Sequence, residues 1–122
     1  MATKEQILQA QDRKTATVEV PGWGVTIKLK AMSAYQRAVY DSFFKFGDDG
    51  KVIPETTYHA AARAVCLSAV NDDDSPMFTI EDALSLADKG AAEVELVAKA
   101  VRTLNGWDKE DSVKNSPATT EG

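Results

Sequence analysis

The chain has 122 residues, 43% of them hydrophobic and 27% charged, with a formal net charge of -5; that is the size of one core and a composition that argues against wholesale disorder. Basic residues outnumber acidic ones only over roughly the first thirty positions, and the body is acidic. With no stripe of Lys and Arg to displace counterions from a phosphate backbone, nucleic acid is not an expected partner.

Thr3 is placed to cap a short helix whose Ile7 and Leu8 begin an apolar edge, ending in Asp12-Arg13-Lys14. The period then changes to two. Val18 and Val20 alternate with Thr17 and Glu19, and Val25, Ile27 and Leu29 alternate with Thr26, Lys28 and Lys30, which predicts two strands. Pro21-Gly22-Trp23-Gly24 joins them as a β-hairpin, marginal alone, whose apolar face must pack on helices or on another chain. Ser33 and Gln36 form a capping box that starts a helix through about Phe46, with Tyr35, Val39, Phe43 and Phe46 on one stripe and Tyr40 and Phe44 off it.

Gly47-Asp48-Asp49-Gly50 stops that helix, and an alanine-rich helix is predicted from about Glu55 to Val70, with Tyr58, Ala62, Val65 and Ala69 on a shared face. After the polar break Asn71 to Pro76, Thr79 caps a short helix, Ile80 to Asp88, with Asp82 at its third position. Gly90 stops it. The last long helix, about Ala91 to Leu104, carries Val94, Val97, Val101 and Leu104 on one face and ends at Asn105-Gly106. The expected fold is therefore α+β, mainly α-helical: a short N-terminal helix and β-hairpin, then about four helices. Residues 1–107 are expected to form a single domain, and 108–122, charged and then small and polar, a disordered flexible tail.

Chemistry-bearing constellations are few. The lone Cys66 can form no internal disulfide, which fits a reducing, cytoplasmic setting, and two ligands, His59 and Cys66, do not make a zinc site. Seven residues apart on one helix, they also stand about 10 Å from each other, too far for a nucleophile and its base. Asp72-Asp73-Asp74 could suggest calcium, but a binding loop starting at Asp72 would need Gly and Glu where Met77 and Ala83 stand. No catalytic residue, metal or cofactor is expected. Met1 leads into polar Lys4-Glu5-Gln6 rather than a secretory signal, and the most apolar run, Ala60 to Val70, is broken by Arg63 and too short to cross a bilayer, so no membrane association is expected.

What remains are large apolar residues in unusual places: Trp23 in a tight turn, Tyr40 and Phe44 beside a helix stripe, and Trp107 after the last helix. A tryptophan in a tight turn does not easily reach its own core, and aromatic residues of this kind anchor interfaces, so these four are the candidate partner-binding residues.

The runs Lys4 to Leu8, Arg13-Lys14-Thr15, Val18-Glu19-Val20-Pro21 with Trp23-Gly24, Leu29 and Met32-Ser33-Ala34 resemble the N-terminal part of tail assembly chaperones from long, non-contractile tailed phages. Val65 to Val70, the acidic turn, Met77-Phe78-Thr79 with Glu81-Asp82, and Leu104-Asn105-Gly106 resemble the remainder; Ser75 departs from a glycine frequent in the family's acidic turn. The resemblance implies a non-enzymatic protein of the host cytoplasm, absent from the mature virion. It implies binding to the tape measure protein, recruitment of the tail tube protein through a frameshifted longer form, and self-association into an open helical array. Lys114-Asn115 is a dipeptide that a minus-one slip site can encode. The competing expectation is a structural subunit of the particle, a head-tail connector or tube-associated protein that joins neighbours through sheet edges.

Overall fold

The computed structural model describes residues 1–107; the expected disordered tail and the Lys114-Asn115 site lie outside them. The hairpin forms where the period-two pattern puts it. Strands β1 (Thr15–Val20) and β2 (Val25–Lys30) pair antiparallel, from Thr15 opposite Lys30 to Val20 opposite Val25. Between them Pro21–Trp23 makes one 3-10 turn, and Gly24, at φ 67°, takes the left-handed conformation that returns the chain. The alternation sends Val20, Ile27 and Leu29 into the core and leaves Thr17, Glu19 and Thr26 in solvent.

The N-terminal helix α1 (Lys4–Gln9) has the expected Thr3 cap, completed by Gln6 into a capping box, and buries none of its residues. Helix α2 (Ala34–Ser42) also begins at a full box: the Gln36 amide donates to Ser33 Oγ at 3.1 Å and the Ser33 amide to Gln36 Oε1 at 3.0 Å. It stops short of the expected end near Phe46. There the chain turns at Gly47–Gly50 and Phe46 bridges Val52 antiparallel, with the Ile53 amide donating to the Lys45 carbonyl at 2.7 Å. The expected stripe is kept only in part, by Val39 and by Phe43 against Arg63. Tyr35 and Phe46 are 79% and 65% exposed, whereas Tyr40 and Phe44 are half-buried. The inward face is Gln36, Val39 and Tyr40, because Gln36, besides closing the cap, accepts from Arg13 Nη2 at 2.9 Å, which fixes the helix's rotation.

The long alanine-rich helix divides into three pieces: a 3-10 turn (Pro54–Thr57), helix α3 (Ala60–Ser68) and a two-residue strand β3 (Ala69–Val70). Ala62, Val65 and Ala69 are buried as expected, but Tyr58, before the break, is 69% exposed. β3 pairs antiparallel with β2, Ala69 opposite Leu29 and Val70 opposite Lys28, so the sheet order is β1-β2-β3. The acidic turn that follows folds over the sheet's polar face: Lys28 reaches Asp74 at 2.6 Å and Lys30 reaches it at 3.5 Å.

The 3-10 turn Ile80–Asp82 and helix α4 (Ala83–Ala87) fill the expected short helix, capped by the Thr79 amide donating to Asp82 Oδ2 at 2.9 Å. Helix α5 (Ala91–Leu104) has the expected bounds, with Val94, Val97 and Val101 buried and Leu104 half-buried. Helices α3 and α5 pack against each other, and α5 against β1, around a core of Val20, Leu29, Val65, Val97 and Val101. The Asn105 side chain accepts from the Met32 amide at 2.9 Å and donates to the Val101 carbonyl at 2.9 Å, tying the end of α5 to the entry of α2. Among the described residues no helix is long and apolar enough to cross a membrane.

Candidate interaction surface

Three of the four aromatic residues singled out from the sequence come together. The Tyr40 ring lies 5.2 Å from that of Phe44, edge to face, and 5.3 Å from that of Trp107. Trp107 reaches α2 because Gly106, at φ 74°, turns the chain back as α5 ends, and the Trp107 amide donates to the Arg102 carbonyl at 2.8 Å. Arg37 caps the cluster: its guanidinium stacks 4.3 Å from the Trp107 ring centre while Nε donates to both Asp41 carboxylate oxygens, at 3.1 and 3.2 Å. All three rings are half-buried. Burial raises the Tyr40 hydroxyl above its ordinary pKa, against the opposing pull of Arg102 and Arg63.

Arg63 sits nearby, only 8% exposed. Its guanidinium stacks 4.3 Å from the Phe43 ring centre and Nη2 donates to the Thr56 carbonyl at 2.9 Å, but its buried Nε has no hydrogen-bond partner among the described residues. Burial lowers its pKa, against the opposing effect of Tyr40.

Trp23 stands apart from this cluster. The 3-10 turn folds the indole back against the core, although a residue in so tight a turn is expected not to reach it easily. The half-buried ring lines an apolar groove of about 590 Å³ with Val25, Ile27, Phe78 and Leu86, and Lys89 stands at its rim.

After Met1, the most exposed large apolar side chains are ones the sequence reasoning did not choose: Tyr35, Tyr58, Phe46, Leu84, and Ile7 and Leu8 of α1. Phe46 and Val52, side by side in their bridge, line a cleft of about 510 Å³ with Phe44, Asp41 and Thr57. A signal for that cleft was available. Phe46, the Gly47 to Gly50 turn and Val52-Ile53 form a small hairpin pattern, which Ser33-Gln36 helix signals upstream obscured.

The residues weighed for chemistry are otherwise engaged. Cys66 is buried and its thiol is pushed up to about 12 by burial and by Asp82. Asp73 accepts from the Ser75 hydroxyl at 2.6 Å and amide at 3.0 Å, and Asp74 holds the two lysines; these bonds keep both carboxyls below the usual range. Among the described residues no three of His, Cys, Asp and Glu converge as a metal-ligand set.

No family model matches the chain, and no curated protein matches it. Among solved structures, it is similar to the bacteriophage HK97 tail assembly chaperone, with a TM-score of 0.57 and 19% identity over 83% of this chain and 96% of that one. The fold is thus shared with a protein of the kind that the sequence resembles.

Proposed function

We propose that this chain is a tail assembly chaperone of a long-tailed phage, which binds the tape measure protein, keeps it soluble and helps recruit tail tube subunits. The shared fold, extending over nearly the whole HK97 chaperone, is the observation that carries the reading. The surface supports it. Exposed Phe46, Tyr58, Tyr35 and Leu84 on a net-acidic chain can cover apolar helix faces while the charge keeps the complex dispersed. Trp23 and Phe44 each line an apolar depression, and Tyr40 and Trp107 hold the frame of the one at Phe44. In this reading the chain is not an enzyme and works in the host cytoplasm in several copies per tape measure protein, assembled as an open array. A longer frameshifted form meets the tube protein, and none of it remains in the virion.

Co-expression with the tape measure protein tests the proposal. A soluble complex containing several copies of this chain is expected. A tape measure protein left insoluble, together with this chain detected by mass spectrometry in purified virions, would instead establish the particle-subunit reading.

A further inference from the structure

We propose that the free edge of β1 and the groove beneath it form a strand-docking site for an extended segment of a partner protein, apolar at alternate positions and flanked by acidic residues. This site does not depend on the chaperone reading. Two observations carry it. The sheet order leaves β1 paired only with β2, so one side of its backbone has no strand beside it among the described residues. The Ala31 amide donates to the Lys14 carbonyl at 2.8 Å, which marks that pair as a hydrogen-bonded one. The antiparallel alternation then points the amides and carbonyls of Thr15, Thr17 and Glu19 outward, where a new strand can reach them.

The second observation lies under the same edge. Ala16 and Val18 face α5, yet Ala16 is exposed and Val18 only half-buried, because the sheet ends at β1 while α5 extends past it. The overhang leaves a groove of about 550 Å³, its floor made by Leu96, Ala100 and Leu104, with Lys14 and Lys99 at its mouth. An added strand would complete the sheet, and its inward side chains would cover this floor. Neither lysine is in an ion pair among the described residues, and they stand out in a chain of net charge -5. The incoming strand's ends are therefore acidic. A second copy docked by its own β1 would set Lys99 of both copies on one seam, so the charge favours a different partner.

The probe is a fluorescent peptide, Glu-Thr-Val-Thr-Val-Thr-Glu with blocked ends, titrated against the full chain at low salt and compared with its counterpart carrying Lys for both Glu. The Glu peptide is expected to bind saturably, at least tenfold tighter than the Lys peptide, and to slow hydrogen exchange of the Thr15, Thr17 and Glu19 amides by tenfold or more. L96E and the exposed, fold-neutral K99E are each expected to weaken it by tenfold. Equal binding of both peptides, or protection elsewhere in the chain, overturns the proposal. So does protection of these amides in the free protein together with a dimer in analytical ultracentrifugation, since a second copy would then hold the edge.

Discussion

At the scale of single residues, burial separates side chains that look alike in the sequence. Arg63 carries its charge into the interior with a ring and one carbonyl for company and, among the described residues, no carboxylate. An apolar side chain of similar length should therefore serve nearly as well: R63M is expected within about 1 kcal/mol of the parent in urea unfolding, because the lost bond is offset by relief of the unpartnered Nε. R63A, which empties the space, should cost about 2–3 kcal/mol. Cys66 gives a pH signature. Its thiol rises from an ordinary value of 9.0 to about 12 on folding. Folding thus favours the protonated form, and that contribution is intact below pH 9 and lost as pH rises toward 12. The melting temperature should fall more steeply over this range for the parent than for C66A, and native Cys66 should resist thiol reagents at pH 8.

At the scale of elements, the same local signal has different consequences depending on what it is attached to. Thr3 and Ser33 head identical capping boxes. S33A should cost about 1 kcal/mol of global stability, because α2 is fastened by Gln36 to Arg13 and by Tyr40 to the core; T3A should cost almost nothing, because α1 buries no residue and its fraying is not coupled to unfolding. Urea denaturation of the two variants side by side checks this. The contrast also shows why some boundaries were legible and others were not. The hairpin and α5 follow from strong periods bounded by Gly24, Gly90 and Asn105-Gly106. Alanine-rich residues 55 to 70 have helical propensity throughout, and only the β2 edge, waiting opposite Ala69 and Val70, converts the last two into a strand.

At the scale of the whole molecule, aromatic residues divide into those that close the fold and those left on its surface. The Tyr40, Phe44 and Trp107 cluster fastens α2 to the end of α5, so Y40A is expected to lose about 3 kcal/mol or more in stability. F46D and Y58D, at 65% and 69% exposed positions, should stay within about 0.5 kcal/mol of the parent yet reduce recovery of soluble tape measure protein in co-expression. Full recovery with both substitutions present would move the binding face elsewhere, with the Trp23 groove the next place to substitute.

The sequence by itself determined the hairpin, the caps, the face of α5 and the general α+β order, because these rest on local stereochemistry and on periods of two and 3.6 that a single segment expresses alone. It also indicated that Trp23, Tyr40, Phe44 and Trp107 were unusual. Only the tertiary structure decided which way α2 turns, that Phe46 leaves the helix to bridge Val52, that Ala69-Val70 becomes a third strand, and that among the described residues β1 ends the sheet above an apolar groove. Each of these depends on a partner distant in sequence, such as Arg13 for Gln36, Leu29 for Ala69 or Leu104 for the space beneath β1. A pattern within one segment can state that a face is apolar; which residues finally cover it is settled when the segments pack.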